Sequence, residues 1–247
     1  MKIIGISGKK QSGKNTFANY VNGSILQKYG LVDDFSINKE GQLQVKTEDA
    51  HGKKDWGILD ITRKDDEFCS YAKDNIWPFV KVYHFADYLK KISIDLFDLT
   101  PQQVYGSDAD KNTLTPYSQH GWRKHKTTTL PPMSAREFLQ YLGTDVMREI
   151  KDTIWVDYTI KLIQQEQPAL ALIPDVRFPN EVNAIHKAGG YVLRLDREVY
   201  SSTHHCETAL DNDNFCWEDF DDVLRNHKLS VKEFCNKIEE LNKVWSV

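Results

Sequence analysis

Near the amino end, Gly8-Lys9-Lys10-Gln11-Ser12-Gly13-Lys14 has the residue types and the spacing to hold an anion. Gly8 and Gly13 let the backbone turn so that successive N–H groups converge on one point. The apolar run Ile3 to Ile6 ahead of them reads as a buried strand. No helix breaker follows Lys14 until Asn22-Gly23, so a helix start aims its partial positive charge at the same point. Strand, glycine loop and helix in this order form the loop that cradles the phosphates of a nucleoside triphosphate. Lys14 would reach the outer phosphates. In the usual pattern a Ser or Thr directly follows that Lys and holds Mg²⁺; here Asn15 does, and the hydroxyl arrives one residue later as Thr16.

A second group of polar residues belongs on the same edge. In open α/β sheets ligands bind beyond the carboxyl ends of the strands. Ala169 to Ile173 reads as a buried strand ended by Pro174-Asp175, which delivers Asp175 and Arg177 to that edge, with Asn180 and Glu181 at the next helix start. Asp175 can hold a magnesium-bound water or accept a hydrogen bond from a nucleotide hydroxyl, or it can simply cap the following helix. Arg136 and Arg177 suit an acceptor phosphate, because a planar guanidinium meets phosphate oxygens two at a time. Phosphoryl transfer between two phosphate-bearing molecules needs such fixed cations more than it needs a base.

The elements that must position these residues alternate between strand and helix, the pattern of a mostly parallel α/β sheet flanked by helices. A helix is predicted from Lys14 to about Tyr29. Residues 32–78 break the rhythm and read as a small β-rich insertion, with an Asn38-Lys39-Glu40-Gly41 turn between residues 34–37 and 42–45 and a β-prone run from Trp56 to Ile61. The main rhythm resumes with a strand at 80–85 and a helix from Asp87 to Phe97. Thr100-Pro101 opens a short helix. Residues 106–132 read as an exposed loop, in which Arg123 to Lys126 form a basic cluster suited either to a lid over phosphates or to a solvated face. Ser134 and Glu137 form a capping box opening a helix to about Leu142, and Ser230 and Glu233 form another. Helices are expected at 153–165 and from Pro179 to Gly189-Gly190, and strands at 191–195 and 223–224. The whole reads as one domain.

The bulk numbers fit a chain with a real core. Of 247 residues, 40% are hydrophobic and 28% charged, and the formal net charge is −4. That balance carries no basic stripe for nucleic acid. No apolar run spans a bilayer, and the first strand begins at once, so a cytoplasmic location is expected. The four cysteines show no metal-ligand spacing. Adjacent residues of His204-His205-Cys206 point to opposite faces and make a poor ligand set.

Six motifs in order, spread over most of the chain except 32–78, resemble one family. They are Ser12-Gly13-Lys14-Asn15-Thr16; His84-Phe85-Ala86-Asp87-Tyr88-Leu89-Lys90; Tyr105-Gly106-Ser107 with Asp110-Lys111-Asn112; Arg136 to Asp145; Ile154-Trp155-Val156; and Pro174 to Glu181. Thr203 to Asp211 extends the likeness. The family is the bacteriophage-type deoxynucleoside monophosphate kinases. The resemblance implies a P-loop kinase fold and phosphoryl transfer from ATP, with Mg²⁺, to a deoxynucleoside monophosphate. It implies that Gly8, Gln11, Ser12, Gly13, Lys14, Asn15 and Thr16 cradle ATP, with Thr16 as the magnesium hydroxyl and Asp175 at the metal or the acceptor. Lys10, Lys90, Arg136, Gly143, Thr144, Trp155, Asp175, Arg177 and Glu181 would line the acceptor site, and Lys14, Arg136 and Arg177 would carry the catalysis. Gly143 permits close backbone approach, and Trp155 offers either a flat face for a base or a core side chain. Gln11 stands where a basic residue is common, and Tyr88 where a proline is common. The resemblance also leans toward a homodimer. Other readings of the loop are a kinase of dephospho-coenzyme A or phosphomevalonate, or a protein that binds ATP without turnover.

Overall fold

A computed structural model describes residues 1–48, 52–118, 131–197 and 208–247. Arg123 to Lys126 and Thr203 to Glu207 lie outside the described residues. The chain divides into two compact units, Met1–His84 with Ile160–Val247, and Phe85–Thr159.

The first unit is built on a five-stranded parallel sheet. Its strands are β1 (Lys2–Gly8), β5 (Val80–Val82), β6 (Leu170–Val176), β7 (Tyr191–Asp196) and β8 (Asp222–Arg225), in the order β5-β6-β1-β7-β8. Because both faces are covered, the inner strands are mostly apolar runs rather than alternating, with Ser7 and Arg194 as buried polar exceptions. Ile4 and Ile6 of β1 pack with Phe17, Val21 and Ile25 of α1 (Lys14–Lys28) and with Phe234 and Ile238 of the carboxyl-terminal helix Val231–Glu240. Gly5, on the opposite face, leaves room for Ile185 of the helix Pro179–Lys187, whose methyl lies 2.6 Å from where a Cβ would stand.

Strand β6 continues past Pro174, which sequence reading takes as its end. Gly5 pairs with Ile173 and Ser7 with Val176, so β6 carries one residue more than β1 across this interval. That is a bulge, where a proline's missing N–H is tolerated. The bulge falls at Pro174-Asp175, beside the glycine loop.

Residues 34–58 form a separate antiparallel sheet, β2 (Asp34–Ile37), β3 (Leu43–Glu48) and β4 (Lys54–Ile58), in the order β2-β3-β4. It rests on α1: a Cβ on Gly23 would stand 2.3 Å from the Phe35 ring and 2.8 Å from Leu43. The same stretch holds a helix that the β-rich reading of 32–78 misses, α2 (Asp66–Asn75), capped by the Asp65 side chain on the Phe68 amide.

The second unit is helical. It contains α3 (Asp87–Phe97), α4 (Pro101–Tyr105), α5 (Asp108–Lys111) and α6 (Ala135–Gln140), which runs on into a π-helical turn over Tyr141–Arg148. The helix opened by Ser134 is therefore longer than its sequence signals suggest. Leu99, Val104, Met133, Ala135 and Phe138 form this unit's core. Helix α7 (Ile154–Glu166) contributes residues to both units. Among the described residues the further α-helices are α8 (Pro179–Lys187), α9 (Val231–Glu240) and α10 (Asn242–Trp245), with a 3-10 turn at Trp217–Asp219. Among the described residues, no helix is long and apolar enough to cross a membrane.

Candidate active site

The glycine loop has the backbone its sequence calls for. Gly8 and Gly13 have φ of +155° and +98°, and Gln11, although not a glycine, has φ of +62°. A Cβ on Gly8 would stand 2.4 Å from Ser12 Oγ, and one on Gly13 would stand 2.9 Å from Phe234 and 3.0 Å from Asn226. Only glycine fits either place without displacement. Ser12 closes the loop by donating its N–H to the Lys9 carbonyl at 3.1 Å. Asn226, just past β8, donates its side-chain amide to the Ser12 carbonyl at 2.8 Å and locks the loop from the other side.

Helix α1 starts on this loop without a side-chain cap, Gly13 occupying the cap position. Helices α2, α4, α5, α6 and α9 all carry a Ser, Thr or Asp cap. The first amides of α1 are thus not spent on a cap, which is the arrangement an anion site requires. The Lys14 ammonium lies back across the loop, donating to the Gly8 carbonyl at 2.6 Å and the Lys9 carbonyl at 2.7 Å. Asn15 and Lys10 are exposed, and Ser12 is buried with its Oγ unpartnered among the described residues.

Thr16 meets the small sheet. Gly41, in the β2–β3 turn, has φ of +79°, and a Cβ there would stand 2.4 Å from Thr16 Oγ1. Asn19, one helical turn on, donates its side-chain amide to the Gly41 carbonyl at 2.8 Å. The insertion therefore touches the first turns of the helix that follows the glycine loop.

The register places Val176 of β6 beside Ser7, which precedes Gly8. Asp175 and Arg177 flank that residue, so the bulge brings both to the loop's edge of the sheet. Glu181 is 2% exposed. Its carboxylate accepts from the Arg177 amide at 2.7 Å and the Phe178 amide at 3.1 Å, reaching back to cap α8 and fix the backbone that carries Arg177.

The other expected acceptor residues belong to the helical unit. Arg136 stands in the first turn of α6 and pairs with Asp108 at 2.6 Å, its Nε facing Asn112 Oδ1 at 3.4 Å. The Lys90 ammonium lies 4.7 Å from the centre of the Tyr105 ring. Tyr88, in the place of the more common proline, stacks on Tyr158 with ring centres 4.0 Å apart. Gly143 and Thr144 lie in the π-helical turn, a geometry frequent at functional sites. The close approach that Gly143 allows is by Leu89, 2.5 Å from a Cβ position. Trp155 is 5% exposed, and its indole N–H donates to the Gly143 carbonyl at 3.0 Å. Of the two uses open to Trp155, packing within this unit is the one visible; it pins the π-helical turn.

Sequence reading assigns no site role to Arg194, Asp211, Asn226 or Gly41. Arg194 carried a signal: a cation inside the apolar run Tyr191 to Leu195 must be paired when buried. Asn226 carried none and Gly41 only that of a turn, since their value lies in what distant segments bring beside them.

The sequence model of the family described as deoxynucleotide monophosphate kinase matches residues 2–238. The chain belongs to that family. It is 32% identical over 168 residues to a protein of Acanthamoeba polyphaga mimivirus named "Putative deoxynucleotide monophosphate kinase", covering 62% of this chain and 78% of the relative. It is 28% identical over 116 residues to the deoxynucleoside-5'-monophosphate kinase of Escherichia phage T5, covering 42% of this chain and 46% of that protein. The parallel sheet flanked by helices is the α/β architecture expected of this kinase family.

Proposed function

We propose that the chain transfers the γ-phosphoryl group of ATP to a deoxynucleoside monophosphate, giving the diphosphate and ADP. The observation that carries this reading is the loop itself: two glycines that admit no side chain, an uncapped helix start, and the Lys14 ammonium lying across the loop. Gly8, Gln11, Ser12, Gly13, Lys14, Asn15 and Thr16 serve the triphosphate. Such a loop fits a phosphate chain, because it offers backbone donors and three lysines, with Lys14 lying across it, and no carboxylate. Asp175, on the bulge, and Thr16 are the groups for Mg²⁺, which supplies charge neutralisation of the phosphates when bound.

The acceptor phosphate is ionised at neutral pH, so its oxygen attacks without a general base. Arg177 and Arg136 are assigned to its charge, with Lys10 and Lys90 supporting them. Arg136 is paired with Asp108 and Asn112, so binding acceptor requires it to exchange or share those partners. A basic lid at residues 123–126 and a homodimer belong to the same reading.

The test is an ADP-release assay with each deoxynucleoside monophosphate and its ribose counterpart as acceptor. At least one deoxynucleoside monophosphate must be phosphorylated, and Lys14→Met must abolish turnover. ADP release independent of any acceptor, or full activity in Lys14→Met, would overturn the assignment.

A further inference from the structure

Arg194 is 4% exposed, a guanidinium inside the sheet directly under the start of the phosphate loop. It sits on β7 opposite Ser7 of β1. Its Nη1 donates to Ser7 Oγ at 3.0 Å and its Nη2 to Asp211 Oδ1 at 3.1 Å. The guanidinium carbon lies 5.2 Å from the Trp217 ring centre and 5.9 Å from that of Phe220. The other oxygen of Asp211 pairs with the Lys9 ammonium at 3.1 Å. One carboxylate therefore ties a loop residue to a cation that is fixed in the sheet by a strand hydroxyl and two aromatic rings. Asp211 is itself held, donating its N–H to the Thr208 carbonyl and accepting at its own carbonyl from the amides of Asn214 and Phe215.

The network holds the residues on either side of Gly8, and one of them, Lys9, shares with Gly8 the task of accepting from Lys14. Ser7 precedes Gly8, and Lys9 follows it. The Gly8 and Lys9 carbonyls are the acceptors of the Lys14 ammonium, and Lys9 also accepts the Ser12 amide that closes the loop. We propose that Asp211 is a positioning residue of the phosphate loop: by bridging Lys9 to the buried Arg194 it sets the carbonyls that place the Lys14 ammonium. The inference rests on Lys14 being the phosphate-binding lysine. It gives Asp211 a task in ATP binding.

The experiment is steady-state kinetics on Asp211→Asn, Asp211→Glu, Lys9→Met and the double variant Lys9→Met/Asp211→Asn, with Lys14→Met alongside and circular dichroism on each. Loss of a charged hydrogen-bonded partner at this level corresponds to about tenfold. Asp211→Asn is therefore expected to raise KM for ATP about tenfold, with KM for the monophosphate within about twofold of the parent. Asp211→Glu should recover most of the loss. The double variant should be no worse than Asp211→Asn, since both single changes break the same tie. If Asp211→Asn fails to fold, Lys9→Met, at a half-buried side chain, and the conservative Asp211→Glu still decide: the parental KM for ATP in Lys9→Met overturns the proposal. So does an Asp211→Asn protein with unchanged KM for ATP, or effects of the two single variants that multiply in the double. An active Lys14→Met protein would instead overturn the reading of the loop on which the proposal rests.

Discussion

Substituting Gly41 by Ala would show whether the small sheet supports the phosphate-loop helix. Two costs are expected. At φ of +79° an alanine enters the left-handed region, at roughly 1–2 kcal/mol. Its Cβ would also stand 2.4 Å from Thr16 Oγ1, an overpacking that costs roughly 1–3 kcal/mol more. Gly30 supplies the control, because it has φ of +70° and nothing within 4 Å of a Cβ position. Gly30→Ala bears the first cost alone, and the gain from a stiffer unfolded chain is common to both and cancels. The difference between the two variants then isolates the Thr16 contact, at about 1–3 kcal/mol. Urea unfolding with unchanged m-values measures it as a difference in midpoint. Adding Thr16→Ala to Gly41→Ala removes both the hydroxyl and the methyl and should relieve the second cost. Because the contact bears on the first turn of α1, Gly41→Ala should also raise KM for ATP where Gly30→Ala does not. Equal destabilisation by the two alanines, or parental ATP kinetics in Gly41→Ala, would refute the reasoning.

Two other variants follow from particular bonds. Trp155→Phe keeps the ring packing but leaves the Gly143 carbonyl without the indole N–H, so a loss of about 1–3 kcal/mol is expected, read as a lowered unfolding midpoint and a raised KM for the monophosphate; unchanged values for both would contradict the pinning role. The Arg63 side chain and the Phe68 amide hold the Asp65 carboxyl at about 2, below its ordinary 3.8. Its folded-state value being depressed, the cap stabilises α2 fully above the unfolded value and loses that contribution as pH falls from 3.8 toward 2. The Phe68 amide chemical shift should titrate around the folded-state value of about 2 in the parent and not in Asp65→Asn; a flat profile in the parent would refute the cap.

The strand, loop and helix at the amino end were legible because glycine spacing and local apolar runs specify them without tertiary help. The Ser134 and Ser230 capping boxes were legible for the same reason, and both form with reciprocal bonds. The β2–β3 turn was readable from Asn38 to Gly41, but its seat on Thr16 was not, since nothing local says what a turn packs against. Helix α2 was announced by Asp65 before Asp66 and Glu67, signals outweighed by the β-prone runs on the amino-terminal side. Pro174 misled because a proline ends a regular strand, whereas a bulge accommodates it. The π-helical turn over Tyr141–Arg148 has no local signature; Trp155, distant in sequence, holds the Gly143 carbonyl there. Glu181 was legible as a member of the Pro174–Glu181 motif, but its task in capping Arg177 and Phe178 emerges only from its burial.

The central claim is that the Lys14 loop delivers a phosphoryl group to a nucleoside monophosphate. Following γ-³²P-labelled ATP into products in the presence of a deoxynucleoside monophosphate tests it most directly. The label should appear at the β-position of the deoxynucleoside diphosphate, and the transfer should vanish in Lys14→Met. Label recovered only as inorganic phosphate, or transfer undiminished in that variant, would contradict it.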